Sequence, residues 1–282
     1  MEIKNKSIEN LMQLGFNNLE AEIYFHLLSN LPMTAYKIGR QLNKPTANVY
    51  KAIDSLSKKG AVMFEDNNKK HCKAISPDEF FSQYEKNIID KTNSTKKLLN
   101  NIDKESFDER SYTIESVPLV FERFNTMMKK CKVVAVIDAF PKTLELVLDS
   151  INEAISRGVE VFIEVYEPIE IKGANVSYAN FGGKVIDYWK SQQLNLIIDG
   201  EEHLISLMNN DLSQINQATW SNNTYMSCML YAGFMREQTM MKIMSKVDKP
   251  NFEKEVKKLL ENQRFFFNSK VPGFDKLFNV RL

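Results

Sequence analysis

The stretch "NKPTANVYKAIDSLSKKGAVMFEDNNKKHCKAIS", residues 43–76, decides how the first part of the chain folds. Pro45 suits the first turn of a helix, where its missing N–H is not needed, and Gly60 suits the position just past the helix end. Between them, apolar residues recur at i, i+3, i+4 and i+7, which predicts one buried face. These residues are Val49, Ala52, Ile53 and Leu56. "AVMFE" and "KHCKAIS" then predict two strands joined by the turn-rich "DNNK".

Three further short helices are predicted upstream of this stretch. They are "IENLMQLG", "LEAEIYFHLLSN" and "AYKIGRQLN", the last with Thr34 as its N-cap. The turn "LNKPT" between the third and fourth helices is short. Four helices followed by a strand, a turn and a strand are the layout of a winged helix-turn-helix.

Polar and basic side chains on the fourth helix and its hairpin predict binding to double-stranded DNA. A helix in the major groove places outward side chains on base edges, so Asn48 could read an adenine and Lys51 a guanine or a phosphate. Residues near the helix ends and the hairpin tip are expected on phosphates or in the minor groove. The alternative for each lysine is an ordinary solvated surface. The predicted DNA contacts are Lys44, Thr46, Asn48, Tyr50, Lys51, Lys58, Lys69, Lys70 and His71, with Lys59 also expected near the DNA backbone.

Residues 77–108 predict a long connecting helix. Phe81, Ile88, Thr95 and Ile102 recur every seven residues, with Tyr84 and Leu98 three positions after two of them. This imperfect heptad pattern predicts a coiled-coil-like helix that pairs with its copy in a homodimer. The alternative is an amphipathic helix packed on its own chain.

From residue 109 to 282, strand-like and helix-like segments alternate. The pattern predicts an α/β domain with a largely parallel sheet and an antiparallel edge. "QLNLIID" and "HLISLM" flank "DGEE", and Asp-Gly suits a type I′ hairpin turn. The expected fold class is therefore α+β and α/β multidomain. It comprises a winged helix-turn-helix over 1–76, a connecting or dimerisation helix over 77–108, and an α/β effector-sensing or dimerisation domain over 109–282.

Four residues in the α/β region are candidate effector contacts. Asp138 and Glu164 lie at or near the ends of buried strands, where α/β sheets bind ligands. Asp199 precedes a turn, and Trp220 could pair an aromatic face with the carboxylates around a sugar or a cationic metabolite. Structural alternatives stay open: Asp138 as a helix cap, Asp199 as a turn residue and Trp220 as core.

Charge and cysteine content narrow the function classes. Residues 1–76 carry 11 Lys and Arg against 7 Asp and Glu, about +4, so the remainder is about −3 in a chain of net charge +1. This asymmetry favours a polyanion as the partner of the first domain alone. The three cysteines are far apart, which indicates a reducing cytoplasm, no disulfide framework and no metal site. No apolar run of membrane-spanning length is present.

Residues 11–65 resemble the N-terminal domain of the TrmB-like transcriptional regulators. The resemblance rests on the segment from Leu14 to Leu27, then "TAYKI", and then a spaced motif in the fourth helix. That motif is Pro45, Val49, Tyr50, Ile53, Leu56, Lys59 and Gly60. The resemblance implies a cytoplasmic, dimeric regulator that binds a pseudo-palindromic operator and has a C-terminal domain associated with effector sensing.

Several members of this family carry a C-terminal domain similar to one half of phospholipase D, which residues 110–245 resemble more loosely. Phospholipase D chemistry needs His-x-Lys-x4-Asp. Counting back from Asp199, the histidine and lysine positions hold Gln192 and Leu194, so the resemblance implies a fold without its chemistry. We therefore expect no enzymatic activity and no cofactor. The alternatives are a phosphodiesterase or nuclease of this type and a module that docks a partner protein.

Overall fold

The computed structural model describes residues 2–65, 71–102, 109–179, 182–248, 250–268 and 271–279, with backbone only for 262–268 and 279. The chain divides into two compact units, Met1–Glu105 and Ser106–Leu282. Within the described residues, no helix is long and apolar enough to cross a membrane.

In the part of the first unit that the structure describes there are five helices and a two-stranded antiparallel hairpin. The elements are α1 (Glu2–Gln13), α2 (Asn18–Leu28), α3 (Ala35–Leu42), α4 (Thr46–Lys58), β1 (Val62–Phe64), β2 (Cys72–Ala74) and α5 (Pro77–Asn100). Its core buries Ile23 and Tyr24 of α2, Ile38 of α3 and Leu56 of α4. The winged helix-turn-helix predicted from the sequence is confirmed.

Local sequence sets where these helices begin. Asn17 accepts a hydrogen bond from the N–H of Glu20 at 2.9 Å, and the Glu20 carboxylate accepts from the Asn17 N–H at 2.8 Å. This reciprocal capping box fixes the start of α2. Thr34 caps α3 as predicted, and Ser76 caps α5. Pro45 lies just before the first residue of α4, one position earlier than predicted.

The second unit is a seven-stranded mixed sheet with helices on both faces. Its strands are β3 (Ser111–Thr113), β4 (Val134–Ala139), β5 (Glu160–Val165), β6 (Asn175–Tyr178), β7 (Ser191–Ile198), β8 (Glu202–Asn209) and β9 (Ile215–Ser221). Its helices are α6 (Val117–Lys130), α7 (Pro141–Ser156), α8 (Gly182–Trp189), α9 (Thr224–Met244), α10 (Phe252–Asn268) and α11 (Pro272–Asn279).

The strand order is β3-β9-β8-β7-β4-β5-β6. In the described residues only the β4–β5 and β5–β6 pairs are parallel, and the other four pairs are antiparallel. The prediction of a largely parallel sheet was therefore wrong. The reason is that β7 to β9 form a meander joined by tight turns, and a tight turn can connect only antiparallel strands.

The two sheet faces differ in what covers them. Side chains alternate along β4, so Ala135, Ile137 and Ala139 pack in the core with α6 and α7, while Val134 and Val136 pack with α9. By the same alternation Asp138 lies on the α9 face. This is the face that carries the polar cluster of the second unit.

Candidate functional site

A three-residue turn joins α3 to α4 in the first unit. Asn43 adopts the left-handed conformation, with φ 52°, and the N–H of Lys44 donates to the Gly39 carbonyl at 2.9 Å. A Cβ at Gly39 would lie 3.1 Å from the Lys44 carbonyl oxygen, so the small residue lets the turn fold closely onto α3. These contacts fix the direction in which α4 leaves the turn.

The helix α4 has one buried and one exposed face. Val49, Ala52, Ile53 and Leu56 are buried as predicted. Asn48, Tyr50 and Lys51 are exposed on the other side of the helix. Packing of the apolar face thus presents three of the predicted DNA contacts to solvent.

The other predicted contacts, on this helix and in the turn before it, are either paired or partly buried. Lys58 pairs with Asp54 at 2.7 Å, four residues earlier, and both side chains are largely exposed. Thr46 is half-buried, with its hydroxyl oxygen near Gly39. Lys44 forms an ion pair with Glu22 of α2 at 2.9 Å. Lys44 therefore ties the turn to α2.

Lys59 is a structural residue, in contrast to the expectation that it faces DNA. Its ammonium lies 2.5 Å from the Glu20 carboxylate, donates to the Gly15 carbonyl at 2.9 Å, and sits 4.9 Å from the centre of the Phe16 ring. Burial raises the pKa of Glu20, but hydrogen bonds from Lys59, Ser55 and the Asn17 N–H outweigh it, so the net pKa lies below its usual value. The pair joins the end of α4 to the start of α2.

The hairpin β1–β2 follows α4. Lys69 and Lys70, predicted at the hairpin tip, lie outside the described residues. His71 precedes β2, and its Nδ1 is 3.3 Å from the Glu65 carboxylate. Lys73 is exposed on β2, between two buried residues.

Sequence reasoning missed exposed residues on α3. Tyr36, Lys37 and Arg40 are exposed on the helix that precedes the turn, and they add aromatic and basic groups near α4. The periodicity that marks Ala35, Ile38 and Gly39 as buried could have identified them as the outward face.

The second unit contains a cavity of about 580 Å³ between the sheet and α9. Asp138 of β4 and Glu164 of β5, two of the predicted effector residues, both line it. They are paired positions of neighbouring parallel strands. The structure therefore brings two carboxylates together on one face of the sheet.

Both carboxylates are more than nine-tenths buried. Asp138 Oδ2 accepts hydrogen bonds from the side-chain amides of Gln193 and, at 3.2 Å, Asn195. The Tyr166 hydroxyl donates to Glu164 Oε1 at 3.0 Å. The other oxygens, Asp138 Oδ1 and Glu164 Oε2, are buried and have no hydrogen-bond partner in the described residues.

Burial perturbs both acids. It raises the pKa of Asp138 to about 6, although the hydrogen bonds from Gln193 and Asn195 oppose the shift. It raises the pKa of Glu164 to about 8, with repulsion from Asp138 and Glu237 adding to the effect. Perturbed acids in a cavity are a recognised sign of a functional site.

The other twelve residues that line the cavity in the described part of the chain were not predicted as site residues from the sequence. They are Phe140, Tyr166, Ala179, Val185, Trp189, Gln193, Asn195, Phe234, Glu237, Met240, Met241 and Met244. Gln193 and Asn195 carried a usable signal, because they occupy alternate positions of β7 and therefore lie on the same face of the strand. The lining residues of α9 carried no such signal, because the sequence does not show that α9 packs over the sheet.

Asp199, another predicted effector residue, does not line this cavity. Its carboxylate accepts hydrogen bonds from the N–H groups of Lys132, Val133 and Val134 at 2.8–2.9 Å. Asp199 and Gly200 have φ of 53° and 66°, the positive values that a type I′ turn needs at its two central residues. Asp199 therefore anchors the turn after β7 to the start of β4.

Trp220 also lies outside the cavity. Its indole N–H donates to Glu202 at 2.7 Å, and the Arg123 guanidinium lies 4.2 Å from its ring centre. Tyr112 stacks on it with a centroid separation of 5.7 Å. Trp220 is thus a packing residue between β3, β8 and β9.

Comparison with known proteins identifies the first unit. The family described as "Sugar-specific transcriptional regulator TrmB" matches residues 11–78. The uncharacterized protein YrhO of Bacillus subtilis (strain 168) is 18% identical over 245 residues, which are 86% of this chain and 88% of YrhO.

Two solved structures are also similar. TrmBL2, an archaeal chromatin protein described as showing a novel mode of DNA binding, aligns over 83% of this chain and 97% of its own at 16% identity, with a TM-score of 0.43. NucT from Helicobacter pylori aligns over 46% of this chain and 95% of its own at 10% identity, with a TM-score of 0.37. The family match thus covers the winged helix-turn-helix of this chain and the first residues of α5.

Proposed function

We propose that the chain is a dimeric regulator that binds an operator in double-stranded DNA and responds to a small molecule in its C-terminal cavity. The observation that carries the DNA-binding part is the exposed face of α4, with Asn48, Tyr50 and Lys51 free of the core inside a TrmB-type winged helix. Such a protein acts in the cytoplasm.

In this proposal, the residues at the centre of the exposed face of α4 contact the DNA bases. Asn48 can form two hydrogen bonds with an adenine, and Lys51 can donate to a guanine or a phosphate. Lys58 can leave its exposed pair with Asp54 at little cost, because surface ion pairs contribute about 0–1 kcal/mol. Lys69, Lys70 and His71 complete the proposed contacts from the hairpin.

The proposal of a homodimer rests on α5. Phe80 is buried in the core of the first unit, and Phe81 and Tyr84 pack against it. Farther along the helix, Ile88 and Leu98 are exposed within the unit, Leu98 by 71%. A second copy of the helix would cover these residues, and the resulting two-fold axis matches a pseudo-palindromic operator with half-sites about 34–36 Å apart.

The C-terminal unit supplies the proposed sensing function. Its cavity holds two buried carboxylates, each with one oxygen that has no hydrogen-bond partner in the described part of the chain and that a bound molecule could satisfy. We propose that this unit is a phospholipase D-like fold without catalysis. Gln192 donates to the Asn210 side chain at 2.9 Å, and Leu194 is buried in the core, so neither supplies an imidazole or a cation.

Repeated selection of genomic DNA fragments by the purified protein, at two salt concentrations, tests the proposal. A palindromic consensus bound with a steep salt dependence is expected, because lysine contacts release counterions from phosphates. The variant Lys51→Ala/Lys58→Ala should bind more weakly and with a flatter salt slope. Lys86→Ala/Lys97→Ala on α5 is the matched control, because both lysines are exposed, lie off the proposed heptad seam and give the same charge change in the same unit. Equal loss in both variants, or recovery of no consensus, would contradict the proposal.

A further inference from the structure

The cavity of the second unit has a chemical bias beyond its size. Asp138 and Glu164 face it from paired strand positions, and among the residues that the structure describes each keeps one buried oxygen without a hydrogen-bond partner. A buried polar atom without a partner costs free energy that a bound donor would recover. Two such acceptors on adjacent strands define a place for a group with several N–H or O–H donors.

The charged residues that line the cavity in the described part of the chain all have one sign. The Lys242 ammonium of α9 is not part of that lining; it lies 5.9 Å from the centre of the Phe162 ring, and burial lowers its pKa. The titratable groups facing the two carboxylates are Tyr166 after β5 and Glu237 of α9, while β7 contributes only the neutral Gln193 and Asn195. No Lys, Arg or His is present in the part of the cavity lining that the structure describes. A neutral polyol could donate hydrogen bonds here, but it would leave the repulsion between the acids in place. A cation relieves that repulsion.

The rest of the lining suits the carbon skeleton of an organic cation. Phe140 and Tyr166 meet edge to face with centroids 4.5 Å apart, and Trp189 and Phe234 add further rings. Aromatic faces attract ammonium and guanidinium groups. The volume of about 580 Å³ lies in the range of small-molecule sites. In the described residues no cluster of three or more His, Cys, Asp or Glu could hold a metal ion.

We propose that the effector of this cavity is an organic cation with a primary ammonium or guanidinium group. Its N–H groups donate to Asp138 Oδ1 and Glu164 Oε2, and its carbon chain runs along the aromatic and methionine side chains. This inference rests on the proposed function, because it names the ligand class of the same sensing site.

Titration calorimetry on the full chain tests the proposal. The probes are 1,4-diaminobutane, 1,5-diaminopentane and agmatine, and the uncharged comparisons are 1,5-pentanediol and maltose. We expect at least one cation to bind at least about tenfold more tightly than either neutral compound near pH 8. Affinity should rise between about pH 6 and pH 9, because the acids must ionise to pair with the cation. Binding should release protons, seen as a heat that depends on the ionisation enthalpy of the buffer.

Variants give a second, independent readout. Asp138→Asn and Glu164→Gln should each lower cation affinity at least about tenfold, since they remove the charge and keep the shape. Glu170→Gln, on an exposed residue outside the cavity lining, should leave it unchanged. If the neutral compounds bind as tightly as the cations, or no cation binds with a Kd below about 1 mM, the proposal is wrong.

The DNA-binding proposal is judged separately, by operator affinity in the same preparation. Operator binding without cation binding overturns only the ligand class. Cation binding without any operator overturns the regulatory function and leaves the ligand class standing.

Discussion

Asp138 and Glu164 are register partners on the parallel strands β4 and β5, and each carboxylate keeps one buried oxygen without a hydrogen bond in the described residues. Apolar residues would fill these positions in an ordinary sheet core. The pair therefore costs folding free energy whenever both acids are ionised. This cost predicts how stability depends on pH.

Glu164→Gln should stabilise the protein more at high pH than at low pH. The pKa of Glu164 is raised from 4.5 to about 8, so its contribution to stability is full below 4.5 and is lost as the pH rises through 8. Glutamine stays neutral and avoids this loss. The difference in unfolding free energy between the variant and the wild type should therefore be roughly 2–4 kcal/mol more favourable to the variant at about pH 9 than at about pH 4. Each pKa unit corresponds to about 1.4 kcal/mol.

Thermal unfolding of the full chain at the two pH values measures this difference. Glu170→Gln is the control for loss of an exposed carboxylate and should shift both midpoints equally. The same gain for Glu164→Gln at both pH values would show that ionisation of Glu164 does not oppose folding.

Asp138 and Glu164 could be selected from the sequence because each occurs at or near the end of a strongly apolar strand. The β-α-β order predicts that the two strands are neighbours in the sheet. The proximity of the two carboxylates could therefore also be predicted from the sequence. Gln193 and Asn195 could not be placed beside them. They come from β7, which joins the sheet antiparallel after α8, and sequence alone does not fix that pairing.

The winged helix was more predictable than its surface. Local capping and periodicity define α4 because these signals act within a few residues. Lys44 and Lys59 illustrate the limit of the sequence for the surface, since the sequence shows no partner that keeps either lysine from contacting DNA. Each pairs with a glutamate of α2 that is about twenty or forty residues away along the chain.

Lys59→Ala should therefore lower stability, and Lys51→Ala should lower DNA affinity. Removing Lys59 leaves the buried Glu20 carboxylate without its cation, which should cost about 1–3 kcal/mol. Lys51 is exposed and should change the unfolding free energy by less than about 0.5 kcal/mol.

Urea unfolding and operator binding measured on both variants separate the two roles. If Lys59→Ala left stability unchanged but weakened DNA binding, Lys59 would belong to the interface after all.

Asp199→Ala should destabilise the second unit by about 2–4 kcal/mol. The change removes a carboxylate that accepts three backbone N–H groups and leaves the buried Val134 N–H without a partner. The control Asp149→Ala, on an exposed residue of α7, should have little effect. Ligand binding by the folded fraction of Asp199→Ala should match wild type, because Asp199 lies outside the cavity; a selective loss of binding would restore it as an effector residue.

Leu98→Glu should convert the proposed dimer to a monomer. Leu98 is 71% exposed in the isolated unit, so a charged side chain at this position should hardly change the folding free energy of the unit. In a paired coiled coil the same side chain would be buried between the two helices, where its charge opposes pairing. Asn93→Glu is the matched control, since residue 93 lies on the opposite side of the heptad pattern and is also exposed. Light scattering after size-exclusion chromatography should give half the mass for Leu98→Glu alone, with unchanged circular dichroism. A monomeric mass for the wild type, or a dimeric mass for Leu98→Glu, would mean that α5 does not pair as proposed.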